Sequence, residues 1–193
     1  MEASLVQVIK AGERARAVDV LGDAFHADPM LRWLYPDEAG YLAHASTFMV
    51  AYAGQAFELG TAWRLGDFDA VALWLPPGVL GSEAANDVVL ETTTPDVAAD
   101  ALAVFGQLDG DIPAFDHWYL AWLGVPSARS GRGLGSALIR ACLETVDAAH
   151  MPATLDTPNA RTLPLYERHG FAPTGQRQVG SSPTIHQLER SAR

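Results

Sequence analysis

The stretch "SARSGRGLGSAL", residues 127–138, places Gly131, Gly133 and Gly135 within five positions and then runs into apolar residues at helical spacing. A glycine-rich turn that opens a helix can hold an anion. The first-turn N–H groups lack intrahelical acceptors, the helix dipole is positive there, and bare backbone lets a phosphate approach. The dinucleotide fingerprint does not fit, because Gly131 and Gly133 would require Gly or Ala at the position held by Ser136. Nor does the P-loop, since no Lys-Ser/Thr pair follows the glycines. A plain turn without a ligand is the competing reading.

Three other residues have proton-transfer chemistry. Alternation along "HWYLAWLGV" puts His117, Tyr119, Ala121 and Leu123 on one strand face. An imidazole, as at 117, is the side chain most often used as a base near neutral pH, whereas a tyrosine, as at 119, is a poor one. Asp156, three residues before Asn159, offers a carboxylate able to work through a water. The alternatives are a hydrogen-bonded surface histidine and a turn carboxylate. Cys142 falls on an apolar helical stripe and reads as buried and inert. No G-x-S-x-G and no metal-spaced His set is present, so no metal is expected.

The elements that must carry these groups read as mixed α/β. "LVQVI" is an edge strand, and "ERARAVDVLGDAF" a helix burying Ala15, Val18, Leu21 and Ala24 or Phe25. "DPMLRWLYPDE" reads as a Pro-bounded turn, and "AGYLAHASTFMVAYAGQAFELG" as one helix ending at Gly60. "TAWRLGDFDAVALWLPPG" is a hairpin turning at "GDFD". Between residues 81 and 114 only a helix from Pro95 to Leu108 is legible. "HWYLAWLGV" is a strand buried on both faces and leads into the glycines. Leu134, Leu138, Cys142 and Val146 then mark a helix, "PATLDTP" a strand, "NARTLPLYERHG" a short helix from Asn159 to Gly170, and "FAPTGQRQV" with "PTIHQLER" a strand pair.

At 193 residues, one domain spanning 1–193 is expected. Apolar runs break well short of the roughly 20 residues a membrane span needs, and the start lacks a secretory pattern, so a cytoplasmic protein with no membrane partner is expected. Thirteen basic against 23 acidic residues, a formal charge of −10, and no Lys/Arg block argue against nucleic acid and mildly for a cationic substrate.

"LGVPSARSGRGLGSALI" resembles the acyl-CoA-binding segment of the GNAT N-acetyltransferase superfamily, and "NARTLPLYERHGF" resembles that superfamily's second signature, an Asn seven residues before a Tyr followed by Glu and Gly-Phe. With "ADPMLRWLYP" and "ALWLPPG" upstream, the chain is similar to the branch that contains puromycin N-acetyltransferase; the likeness is strongest from 117 to 175. The resemblance implies a single domain with a central mixed, twisted sheet of about six or seven strands flanked by helices. It further implies acetyl transfer from acetyl-CoA to an amine of a small molecule, in a monomer or homodimer. Backbone N–H groups of Ser130, Gly131, Arg132, Gly133, Leu134, Gly135 and Ser136 would hold the CoA pyrophosphate, with Arg129 and Arg132 supplying positive charge. The strand edge at Leu123, Gly124 and Val125 would pair with the pantetheine arm, and Asn159 would bond the cofactor. Tyr166 would sit beside the sulfur as general acid. Relatives often carry a Glu or His base where this chain has Tyr119, so the base lies among His117, Tyr119 and Asp156. Two positions depart from the pattern: Ser130 stands where Gln or Arg is usual and Ser127 where Pro is common. The "PMLRWLYP" segment is expected to shape the acceptor site, with His26, Asp28 and Glu58 as lesser candidates. A non-catalytic acyl-CoA-binding module and a protein-modifying acetyltransferase are the alternatives.

Overall fold

The computed structural model describes residues 5–193. Its elements in chain order are β1 (Val6–Val8), α1 (Arg14–Ala24), α2 (Pro29–Leu34), α3 (Glu38–Ala53), α4 (Gln55–Glu58), β2 (Ala62–Leu65), β3 (Ala70–Leu75), α5 (Ala84–Thr92), α6 (Pro95–Gly110), β4 (Trp118–Gly124), α7 (Leu134–Ala148), β5 (Ala153–Thr157), α8 (Leu163–Glu167), β6 (Ala172–Arg177) and β7 (Ile185–Arg190). They build one mixed α/β domain. The strands form a seven-stranded sheet in the order β1-β2-β3-β4-β5-β7-β6, in which only the β4/β5 pair is parallel. Its two faces carry separate cores, one under α1 to α6 and the other under α7 and α8. All six residues of β3 are buried, as a central strand covered on both faces requires. No helix among the described residues is long and apolar enough to cross a membrane.

Several local expectations change. Where a turn was read, Asp28 caps a short helix: its Oδ1 accepts from the Met30 and Leu31 N–H groups at 2.9 and 3.2 Å, and Pro29 supplies a preset first position. The long helix after it ends at Ala53 and resumes as α4, and the break falls on Gly54, where a Cβ would collide with the Val50 carbonyl. Helix α1 buries Leu21 and packs Phe25 beyond its end against the core, as expected, but buries Ala17 and leaves Ala15 exposed. Helix α5, unread in the sequence, packs on α3.

Strand β4 departs most usefully from expectation. Its register against β3 skips a residue, since Leu73 pairs with Trp122 and Trp74 with Leu120, which leaves Ala121 as a bulge. Tyr119, Ala121 and Trp122 therefore face the α1–α6 core, while Leu123 joins Trp118 and Leu120 on the α7 side. The expected common face of His117, Tyr119, Ala121 and Leu123 breaks at the bulge.

Candidate active site

Beyond Trp118–Ala153 and Tyr119–Thr154, β4 and β5 no longer pair, although β5 continues against β7 as far as Thr157. The two parallel strands part and leave the β5-facing backbone of residues 120–124 as an open edge of the kind an extended ligand can join. A cavity of about 740 Å³ fills the wedge, lined among others by Asp28, Met30, Ala121, Trp122, Leu123, Asp156 and Tyr166. Crowded aromatics hold its wall. Trp122 meets Phe25 edge to face at 5.2 Å between centroids and donates through Nε1 to the Met49 carbonyl at 3.2 Å.

At the end of β4 the chain turns through the glycines. Gly131 and Gly133 have φ of 74° and 77°, a left-handed backbone that favours glycine, and a Cβ on either would meet nothing within 4 Å. The glycines thus make the turn and leave open space above it. The Ala137 N–H closes onto the Gly133 carbonyl at 2.9 Å, so helix geometry leaves the amides of Leu134, Gly135 and Ser136 to an outside acceptor. The Ser130 amide differs from the expectation, because it is spent on the Ser127 carbonyl at 3.2 Å. Arg129 is likewise ion-paired with Asp69, while Arg132 is exposed. Gly124 has a packing reason, as a Cβ there would lie 2.9 Å from both Ala24 Cβ and Leu21 Cδ2 of α1. Gly135 is buried at the start of α7, and the half-buried Ser136 Oγ meets His169 Nε2 at 2.7 Å.

Asn159 caps the turn that leads into α8, its Oδ1 accepting from the Arg161 N–H at 3.1 Å. That turn delivers Tyr166, which is 9% exposed and sits edge-on to Phe171. Burial, aided by the Asp28 carboxylate, pushes the Tyr166 phenol well above its ordinary pKa, so at neutral pH it carries its proton. Asp28 itself is pushed by burial up to about 6, against the pull of its two capping N–H bonds.

Asp156 lines the same cavity as Tyr166. Tyr52 of α3 donates to the Tyr119 hydroxyl at 3.1 Å, and Tyr119 donates to Asp156 Oδ2 at 3.2 Å. Burial first, then the charges of Asp111 and Asp109, raise Asp156 to about 7, while the bond from Tyr119 pulls the other way. Tyr119 is held well above its ordinary value, chiefly by burial. It is therefore a proton donor in this chain of hydroxyls, and the carboxylate is the acceptor. His117 lies in a second cavity beyond Tyr119, with Nδ1 on the Phe115 carbonyl at 2.9 Å. Of the lesser candidates, His26 meets Glu38 and Glu58 pairs with Arg14, whereas Asp28 and Met30 line the wedge. Trp33 bonds Ser181 instead. Cys142 is buried, its thiol pushed up to about 12. Tyr52 was not foreseen: it sits in an apolar helix with no neighbouring chemistry, and only the fold brings it to Tyr119.

This geometry has counterparts. Residues 88–171 match the model of the acetyltransferase (GNAT) family. An uncharacterized N-acetyltransferase of Schizosaccharomyces pombe is 25% identical over 178 residues, covering 84% of this chain and 72% of its own. A Corynebacterium glutamicum protein described as histone acetyltransferase HPA2 and related acetyltransferase superposes with a TM-score of 0.67 at 23% identity, over 97% of this chain and 96% of that one. Arylalkylamine N-acetyltransferase 2 from Aedes aegypti does so with a TM-score of 0.69 at 14% identity, over 97% and 98%. The fold is that of these acetyltransferases, and the family model and the curated relative support an acetyl-CoA-dependent acyltransferase.

Proposed function

We propose that the chain, as one domain over residues 1–193, transfers the acetyl group of acetyl-CoA to an amine nitrogen of a small molecule by direct attack, with Asp156 as base and Tyr166 as acid. One observation carries this reading: a half-buried carboxylate held by the Tyr119 hydroxyl and a buried phenol line the same cavity, where two parallel strands part beside an open anion cradle. The amides of Gly131 to Ser136 and the α7 dipole suit the pyrophosphate. The free edge of β4 suits the pantetheine arm.

In the transfer, Asp156 takes a proton from the ammonium, directly or through water. The neutral nitrogen attacks the thioester carbonyl, the C–N bond forms, the nitrogen releases its surplus proton to solvent and the C–S bond breaks. Tyr166 gives its proton to the departing thiolate and is reprotonated from solvent. The likeness to the puromycin N-acetyltransferase branch, and the amine-named neighbours such as the polyamine N-acetyltransferase of Drosophila melanogaster, make amines the first acceptors to try. The test is thiol release from acetyl-CoA against a panel that includes puromycin, aryl and alkyl amines and a lysine peptide. Turnover that falls together in Tyr166→Phe and Asp156→Asn supports the reading. Thermal stabilisation by acetyl-CoA with no turnover of any amine would leave a binding module.

A further inference from the structure

The wedge cavity abuts another of about 630 Å³, lined by Tyr52, Asp109, Asp111, His117, Tyr119, Thr154, Asp156, Gln187 and Glu189 among others. Tyr52, Leu108, Tyr119 and Asp156 line both, so Asp156 stands at the junction. The outer cavity reaches the reacting centre from the side opposite the glycine turn.

Its charge is one-sided. Arg177 is bound bidentately by Asp111, at 2.7 Å to Oδ1 and 2.6 Å to Oδ2, so that carboxylate already has a cation partner. Among the described residues, no Lys or Arg lines this cavity and no cation of the chain pairs with Asp109 or Glu189. Sheet register fixes where Glu189 stands relative to the base. Asp156 pairs with Gln187 and Thr154 with Glu189, so all four side chains share one face, and Glu189 is the diagonal neighbour of Asp156. Diagonal neighbours across antiparallel strands lie about 7–8 Å apart. With single bonds of about 1.5 Å, that is the reach of roughly four or five methylenes between two nitrogens.

We infer that the outer cavity admits the acceptor, and that the acceptor is a dication: an amine presented to Asp156, with a second ammonium or guanidinium, about four or five methylenes away, held by Glu189. This rests on the proposed role of Asp156. Asp109 adds negative potential at the same cavity, and the chain's formal charge of −10 favours encounter with a cation. A monoamine of equal length satisfies the base but leaves Glu189 without a partner. Discrimination of this kind comes from a half-buried charge inside a cavity that is met in one ligand and unmet in the other.

The experiment compares α,ω-diamines of three to seven carbons with monoamines of matched length, in the full chain and in Glu189→Gln. The expected result is a diamine-to-monoamine ratio of kcat/KM of roughly tenfold or more, peaking at four or five carbons and collapsing toward one in Glu189→Gln. In parallel, calorimetry measures binding of 1,4-diaminobutane and 1,5-diaminopentane to both proteins in the presence of CoA. Diamine binding that depends on Glu189 without any turnover would uphold the dication site and overturn the catalytic reading. Amines acetylated with no preference for the second charge, or a preference that survives Glu189→Gln, overturn the dication site and leave the catalytic reading standing. If the variant does not fold, reversing the acceptor serves instead: an ω-carboxylate amine turned over as well as the diamine by the unaltered protein overturns the inference.

Discussion

Replacing Asp156 by Asn should cripple the protein as a catalyst and strengthen it as a folded chain, and the size of the second effect follows from the site. An ordinary aspartate titrates at 3.8, whereas burial and the charges of Asp111 and Asp109 lift Asp156 to about 7. Between those values the folded chain holds a proton that the unfolded chain has released, so this group's contribution to stability falls as pH rises through that window. A shift of about three units corresponds to roughly 4 kcal/mol of penalty at pH 8, and to under about 2 kcal/mol at pH 5, where most of the folded carboxyl is still protonated. Asn keeps the shape and an oxygen able to accept from Tyr119, and it does not titrate. Urea unfolding at the two pH values should therefore show Asp156→Asn gaining about 2.5 kcal/mol more over the unaltered chain at pH 8 than at pH 5. Taking the difference between pH values removes any constant cost of the amide. Turnover should fall by roughly 10²–10⁴-fold. A gain that is the same at both pH values would show that Asp156 is ionised at little cost, and the argument for it as the base would go with it.

Four further outcomes are expected. The kcat/KM of the unaltered enzyme should rise with pH through about 7, since Asp156 must be deprotonated to act, and a profile flat from pH 6 to 8 would contradict this. Tyr166→Phe should lower turnover by roughly 10²–10⁴-fold with acetyl-CoA affinity nearly unchanged, measured by calorimetry beside steady-state rates. Gly133→Val should weaken CoA binding, because its Cβ would point into space that the protein leaves empty; a folded variant with unaltered affinity would move the pyrophosphate elsewhere. His169→Ala should raise the KM for acetyl-CoA more than it lowers kcat, since the imidazole fixes the Ser136 hydroxyl at the start of α7, and His169→Gln should recover part of the loss.

The strand–glycine–helix unit and the Asn159–Tyr166 segment were legible because their signals are local. A buried run, a left-handed turn and a helical stripe each occupy contiguous residues. The sheet order at the far end was not legible: β7 lies between β5 and β6, a choice made by long-range pairing that no hairpin spacing reveals. Asp156 was named as one base among three, and what singles it out is the bond from Tyr119, backed by Tyr52 from sixty-seven residues before. Burial of that carboxylate is a property of three elements together. The bulge at Ala121 was hidden for a different reason: "WYLAWLGV" is apolar throughout, so its alternation offers nothing that would betray a skipped residue.

That single unpaired alanine acts as a frame shift within the sheet. Upstream of it, odd-numbered positions of β4 belong to the α1–α6 side; downstream, the even-numbered Trp122 does, and the odd-numbered Leu123 passes to the side of α7. The two halves of one strand can thus vary under separate constraints, each odd or even position answering to a different core on either side of the bulge. Any sequence comparison made without a gap at this point will match residues that face opposite ways, and a substitution transplanted across it from a relative without the bulge would land in the wrong compartment.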